Sequence, residues 1–220
     1  MITVHHLNNS RSTRVLWLLE ELGLPYEIKF YQRDPETMQA PAALKAIHPL
    51  GKAPILTDDA LVLAESGAII EYLIGRYDSD RLAPSETSPE RLAYTFWLHY
   101  AEGSAMPPLL LKLVFSQAAK KAPLLLRPLA AAIAAGANKA FIDKQLALHG
   151  SYWNDTLAKQ PWFAGEHFSA ADIQMSFPVQ LFLARSGMAE RFPMLSEFAA
   201  KIADRPAYAA AVKKGGKLAI

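Results

Sequence analysis

Ile2 to Leu7 is a short β-rich run and predicts a strand. Asn8-Asn9-Ser10-Arg11-Ser12 follows as a loop rich in helix-capping residues. Val15, Leu16, Leu18, Leu19 and Leu22 then recur at helical spacing, with Gly23 as the stop and Pro25 just beyond. Tyr26 to Tyr31 alternates Tyr, Ile and Phe with Glu and Lys and predicts a second strand. Pro41 to Ala46 predicts a short helix. Ile55-Leu56 and Leu61-Val62-Leu63 read as two short strands joined by a turn at Asp58-Asp59. Ile69, Ile70, Leu73 and Ile74 return to helical spacing, and Ser66 stands where an N-cap belongs.

The resulting order, β-α-β-α-β-β-α, predicts a thioredoxin-like arrangement. Its first βαβ unit requires a parallel pair, and its last hairpin is antiparallel. Tyr77 to Ser88 is polar and turn-rich and reads as a linker. Everything beyond it has a helical pattern. Pro89 to Gln117 carries Leu92, Phe96, Tyr100, Leu109, Leu110 and Leu113, and Pro107-Pro108 must kink or interrupt it. Pro123 to Leu148 predicts one long helix and Ser151 to Lys159 a shorter one. Ser169 to Asp172 has capping-box spacing ahead of Ile173, Phe177 and Leu181, and Phe168 is placed for a hydrophobic staple. Pro193 to Lys214 predicts a last helical region, interrupted near Arg205-Pro206, and Lys213 to Lys217 reads as a solvated tail. The predicted fold is therefore α/β plus all-α, with one domain over 1–80 and a helical one over 89–220.

Composition narrows the function. Of 220 residues, 51% are hydrophobic and 20% charged, enough to fill a globular core, and the net charge of +2 is too small to argue for nucleic acid. With no cysteine there is no disulfide framework and no protein thiol nucleophile, so any thiol chemistry must use the ligand's sulfur. Met1 to His6 lacks the basic and apolar regions of a signal peptide. The longest apolar candidate, Pro107 to Ala137, is interrupted by Lys112, Lys120, Lys121 and Arg127, and no uncharged run reaches the roughly eighteen residues of a membrane span. A soluble cytoplasmic protein with no membrane partner is the expectation. The six histidines show no metal-ligand spacing, and His5-His6 on a strand point to opposite faces, so no metal site is expected.

Two features of His48 to Tyr72 suit a small peptide. Pro54 at a strand entrance suits a cis bond to Ala53, and such a turn would leave the N–H and C=O of Ala53 available to pair with an extended ligand. A helix N-terminus at Ser66, with Glu65 beside it, offers donors for a carboxylate and an acceptor for an ammonium. An α-amino acid carries both groups, and glutathione begins with such a γ-glutamyl head. The plainer reading is a turn proline and a simple helix cap.

HPLGKAPIL (48–56) followed by LAESGAIIEYL (63–73) resembles the glutathione site of cytosolic glutathione transferases. NNSRSTRVLWLLEELGLPYE (8–27), EGSAMPPL (102–109) and SAADIQMSFPVQ (169–180) resemble a fungal and bacterial branch of that family, and the likeness covers nearly the whole chain. The resemblance implies glutathione as a substrate rather than a cofactor, bound by Lys52, Ala53, Pro54, Glu65 and Ser66. It implies a homodimer that transfers the glutathione thiolate to a small hydrophobic electrophile. A glutathione-dependent peroxidase or disulfide-bond reductase on the same scaffold, or a non-catalytic glutathione-binding module, is the alternative. For the group that faces the sulfur, Ser10 is the first candidate, with Asn9 and Ser12 beside it; the plainer role of all three is to cap the helix. Lowering a thiol pKa by two units requires a preference for the anion of about 2.7 kcal/mol, within reach of one hydrogen bond plus a helix N-terminus. Arg11 and Arg14 are candidates for glutathione carboxylates or, more simply, for a surface acid. His99, Tyr100 and Met106 are candidates for the second-substrate pocket, against the plainer reading of Tyr100 as core. Nothing in the residues names the electrophile.

Overall fold

The computed structural model describes residues 1–78 and 81–216. Its sheet has four strands, β1 (Ile2–Leu7), β2 (Tyr26–Tyr31), β3 (Ile55–Asp58) and β4 (Leu61–Ala64), in the order β2-β1-β3-β4. β1 runs parallel to β2, with Ile2 opposite Tyr26, and antiparallel to β3, with Val4 opposite Leu56. β3 and β4 form the antiparallel hairpin. Every residue of β1 is buried, as expected of a central strand covered on both faces. Three helices complete this unit: α1 (Ser12–Leu22), α2 (Ala42–Ile47) and α3 (Ser66–Tyr77). Gly23 ends α1 at φ 67°, and its N–H and that of Leu24 return to the carbonyls of Glu20 and Leu19.

The second unit is helical: α4 (Glu90–Tyr100), α5 (Met106–Lys121), α6 (Arg127–Ala137), α7 (Asp143–Lys159), α8 (Ala170–Arg185), α9 (Pro193–Ala203) and α10 (Pro206–Gly215). One core runs through both units. Leu16 and Leu19 of α1 share it with Ile173 and Phe177 of α8 and Ala211 of α10. The capping box forms as the spacing predicts: Asp172 accepts the N–H of Ser169 at 2.9 Å and its hydroxyl at 3.1 Å, and also the N–H of Phe163 at 2.8 Å. The carbonyl of Leu82 accepts the N–H of Ala170 at 2.7 Å, tying the segment between the units to the start of α8.

The structure corrects the sequence reading in several places. Asp58 belongs to β3, and the turn is Asp59-Ala60. Ser66 is the first residue of α3 and Glu65 holds the cap position. Pro107-Pro108 do not break their helix; a π turn at Ala101–Ala105 widens the spiral just ahead of them and joins α4 to α5. The expected division between Leu148 and Ser151 is absent, and the break lies instead at a second π turn, Asn138–Ile142. Gly150 continues α7 because its missing Cβ admits Phe182 and Phe192, which a Cβ would meet at 2.6 and 2.7 Å. The start of the expected solvated tail is the end of α10, which packs on α1 with Lys213 and Lys214 still exposed. Lys214 pairs with Glu20 at 2.5 Å and lies over the Tyr26 ring, while Gly215 abuts Leu16 and His6. Lys217 lies outside the described residues. Leu124–Lys159, 36 residues through the second π turn, is long and apolar enough to cross a membrane by length and composition alone.

Candidate active site

The loop after β1 is anchored at both ends. Asn8 Oδ1 accepts the N–H of Arg33 at 2.8 Å, and Ser12 Oγ meets His6 Nδ1 at 2.8 Å. Between them, Asn9 is exposed, in the left-handed region at φ 51° that Asn tolerates best after Gly. Ser10 is buried. Its Oγ lies 2.5 Å from Ser12 Oγ and accepts the Ser12 N–H at 3.3 Å.

The direction of the hydrogen bonds in this run follows the tautomer of His6. Burial lowers the pKa of His6, so the ring is neutral at pH 7. In the tautomer whose Nδ1 accepts, Ser12 donates to it and Ser10 to Ser12; in the other tautomer the run reverses and the Ser10 proton is released.

The first turn of α1 also reaches the helical unit. Arg14 is buried, and its Nη2 lies 2.5 Å from Glu102 Oε1 and 3.1 Å from Ser66 Oγ. Arg11 approaches the other Glu102 oxygen at 3.3 Å. Burial pushes the Glu102 carboxyl up, but the two guanidiniums outweigh it and hold the group below its ordinary value. Arg14 Nη1 donates to the carbonyl of Gln174 at 2.8 Å. That carbonyl is free because its helical donor would be residue 178, a proline with no N–H. Both guanidiniums lie over the Phe177 ring, at 5.9 and 5.3 Å.

These contacts hold Ser66 at the mouth of α3, where Gln174 Nε2 also approaches its hydroxyl at 3.4 Å. Glu65 precedes it with an exposed side chain and a backbone at φ 70°, a conformation that non-glycine residues adopt at a cost and that clusters at functional sites. The Ala53-Pro54 bond is cis, and Lys52 before it is exposed. The strand after Pro54 pairs with β1, so the proline turn and the loop of Asn9 flank one end of the sheet.

The three pocket candidates do not converge. His99 is exposed, and Met106 is buried at the start of α5. Tyr100 faces α7, where its hydroxyl meets His149 Nδ1 and accepts the Trp153 indole N–H at 3.0 Å. Burial pushes its phenol up to about 12. Arg11 and Arg14 pair with an acid, as the plainer sequence reading has it, although Glu102 is partly buried and belongs to the other unit. Glu102, Gln174 and His6 were not singled out as site residues. EGSAMPPL and SAADIQMSFPVQ contain two of them, but no local pattern says that they meet α1. Among the described residues, no group of three His, Asp or Glu side chains converges as a metal site.

Fold and site together define a thioredoxin-like unit with a helical partner, presenting a helix N-terminus and an exposed carboxylate to a small ligand. Residues 10–75 match the family model of the glutathione S-transferase N-terminal domain, and residues 126–215 that of the C-terminal domain. The chain is 37% identical to Glutathione S-transferase 3 of Schizosaccharomyces pombe, across 97% of this chain and 88% of that one. It is 34% identical to Glutathione S-transferase 1 of Saccharomyces cerevisiae, across 99% and 97%. A crystal structure of a glutathione S-transferase from Actinobacillus pleuropneumoniae superposes with a TM-score of 0.83 at 37% identity, covering 100% of this chain and 95% of that one. A sphingomonad glutathione S-transferase complexed with glutathione superposes at 0.74, with 26% identity over 97% and 98% of the two chains. This chain belongs to the glutathione S-transferase family.

Proposed function

We propose that the protein binds glutathione and transfers its thiolate to a small hydrophobic electrophile. The observation that carries this reading is the pairing of Glu65 and Ser66 at the start of α3, backed by the buried Arg14–Glu102 pair. The N–H groups of that helix end suit the γ-glutamyl carboxylate, and the exposed Glu65 carboxylate suits the ammonium. Ala53, beside the cis Pro54, pairs with the extended part of the ligand, and Lys52 takes the glycyl carboxylate. The glutathione bound in the sphingomonad relative supports the same ligand here.

Asn9 is the group of the loop that we assign to the sulfur. Asn9 is exposed at the apex of the loop, whereas Ser10 and Ser12 are buried and bonded to each other. Ser10 and Ser12 then shape the loop. His99 and Met106 stay candidates for the electrophile pocket, and Tyr100 serves the α4–α7 interior. We divide the domains between residues 80 and 89. We also propose a homodimer, supported by exposed Leu61 and Val62 on β4 and Leu92 and Phe96 on α4. The cytoplasm, where glutathione stays reduced, is its place of action.

The test is calorimetry with glutathione, followed by a panel of electrophiles, peroxides and mixed disulfides. Binding together with conjugation is the expected result. Turnover of peroxides or disulfides alone gives the scaffold to the alternative chemistry, and no glutathione binding by the folded protein removes the reading. Light scattering at micromolar concentration should give the mass of two chains.

A further inference from the structure

The tip between α5 and α6 is not used by the reading above. Lys121 ends α5, a single tight turn carries Leu124, Leu125 and Leu126, and α6 begins at Arg127. Those three leucines are 76%, 92% and 54% exposed, and Leu129 on the next turn is 62% exposed. Four large apolar side chains stand in water within six residues. Monomeric soluble proteins rarely leave such a cluster open without an interaction to close it. The turn is held by Arg127 Nε, which donates to the carbonyl of Ala122 at 3.0 Å. The leucines are thus presented on a fixed support.

The charges around the tip have one sign. From Gly103 to Ile142 the chain contains Lys112, Lys120, Lys121, Arg127 and Lys139 and no aspartate or glutamate. Lys112, at the base of the arm, is neutralised by Asp143 at 2.6 Å. Lys120, Lys121 and Arg127 surround the leucines with no acid beside them in the sequence. An apolar tip ringed by cations is complementary to a surface that is apolar beneath and anionic at its face.

We propose that the α5–α6 tip docks on anionic phospholipid membranes, with Leu124, Leu125 and Leu126 entering the interface and Lys120, Lys121 and Arg127 on the headgroups. The arm lies on the membrane and does not cross it. Although Leu124–Lys159 has the length and composition of a span, Ile142, Leu146, Trp153 and Leu157 from its distal part are buried in the protein core. The turns near Leu124 are open to lipid, and Ile133, Phe141 and Leu148 beyond them are exposed as well. A second copy of the chain is the poorer occupant. A two-fold contact places the same patch on both sides, so the three cations of one tip would face those of the other.

Cosedimentation of the full chain with phospholipid vesicles tests this. Binding to phosphatidylcholine vesicles should rise roughly tenfold when phosphatidylserine is included, and fall again at high salt. Leu124→Ser, Leu125→Ser and Leu126→Ser together should abolish binding while leaving glutathione affinity and solution mass unchanged, because the leucines touch neither the site nor the core. Lys120→Glu with Lys121→Glu should remove the preference for phosphatidylserine. The proposal fails if the wild-type chain binds neither vesicle. It fails equally if the triple-serine variant binds as the wild type does, or if that variant's mass drops in light scattering, which would assign the tip to a second copy.

Discussion

Arg14 Nη1 occupies the carbonyl of Gln174, 160 positions away, at 2.8 Å. The carbonyl is available because Pro178 cannot supply the helical N–H. A defect in α8 thereby becomes the acceptor that seats α1 against the helical unit. The same guanidinium reaches Glu102 and Ser66, so one side chain joins the start of α1, the start of α3, the π turn and α8.

Removing it should therefore be costly. Arg14→Ala is expected to destabilise the protein by about 3 kcal/mol, the low end for breaking a buried pair, because Glu102 remains 26% exposed. Urea unfolding measures this. In a double-mutant cycle with Glu102→Ala the two losses should not add, and simple additivity would show that the pair is not coupled.

Glu65 separates binding from stability. Glu65→Ala should weaken glutathione binding by roughly 1.5–3 kcal/mol, the range for a hydrogen bond to a charged group. Glu65→Gly should weaken it similarly while raising stability by about 1 kcal/mol, since glycine accepts φ 70° without strain. Calorimetry and urea midpoints report the two effects separately. Unchanged affinity in both variants would remove Glu65 from the site.

The loop of Asn9 can be tested on the thiol itself. Asn9→Ala should raise the pKa of bound glutathione toward its value in water and lower the conjugation rate roughly 10- to 100-fold. Ser10→Ala should cost stability and leave that pKa nearly unchanged. Thiolate absorbance follows the pKa directly. A large shift in Ser10→Ala with none in Asn9→Ala would return the role to Ser10 and require the opposite hydrogen-bond direction through Ser12.

His6 contributes a pH dependence with a definite sign. Its folded pKa lies below the ordinary 6.5 because it is buried, so the unfolded chain binds the proton first. Its contribution to stability is intact above pH 6.5 and is lost as pH falls from there toward the folded value. His5 and His149, also lowered by burial, act in the same direction. Asp172, raised to about 6 by burial, acts in the opposite one. The clean measurement is the difference between wild type and His6→Asn in urea midpoints at pH 7 and pH 5. The wild type should lose more stability across that interval, and parallel losses would show that His6 does not titrate on unfolding.

The amino-acid sequence by itself determined the local elements of this protein. The βαβ start, the hairpin, the stop at Gly23 and the capping box of Ser169 and Asp172 rest on interactions among residues a few positions apart, and periodicity and cap chemistry expose those. The site depended on longer reach. Ser66 looks like a helix cap in its own segment, but Arg14 and Gln174 engage its hydroxyl from 52 and 108 positions away. Ser10 looks like a free hydroxyl until the fold buries it in a run with Ser12 and His6. Lys214, half-exposed, gains Glu20 as a partner only when α10 folds back on α1. A hydroxyl, a guanidinium or a lysine can serve several partners, and its own neighbourhood in the chain does not say which. Burial decides it, because a polar group taken out of water must be matched by whatever the fold places beside it. Here those partners come from opposite ends of the chain, so only the tertiary structure could select them.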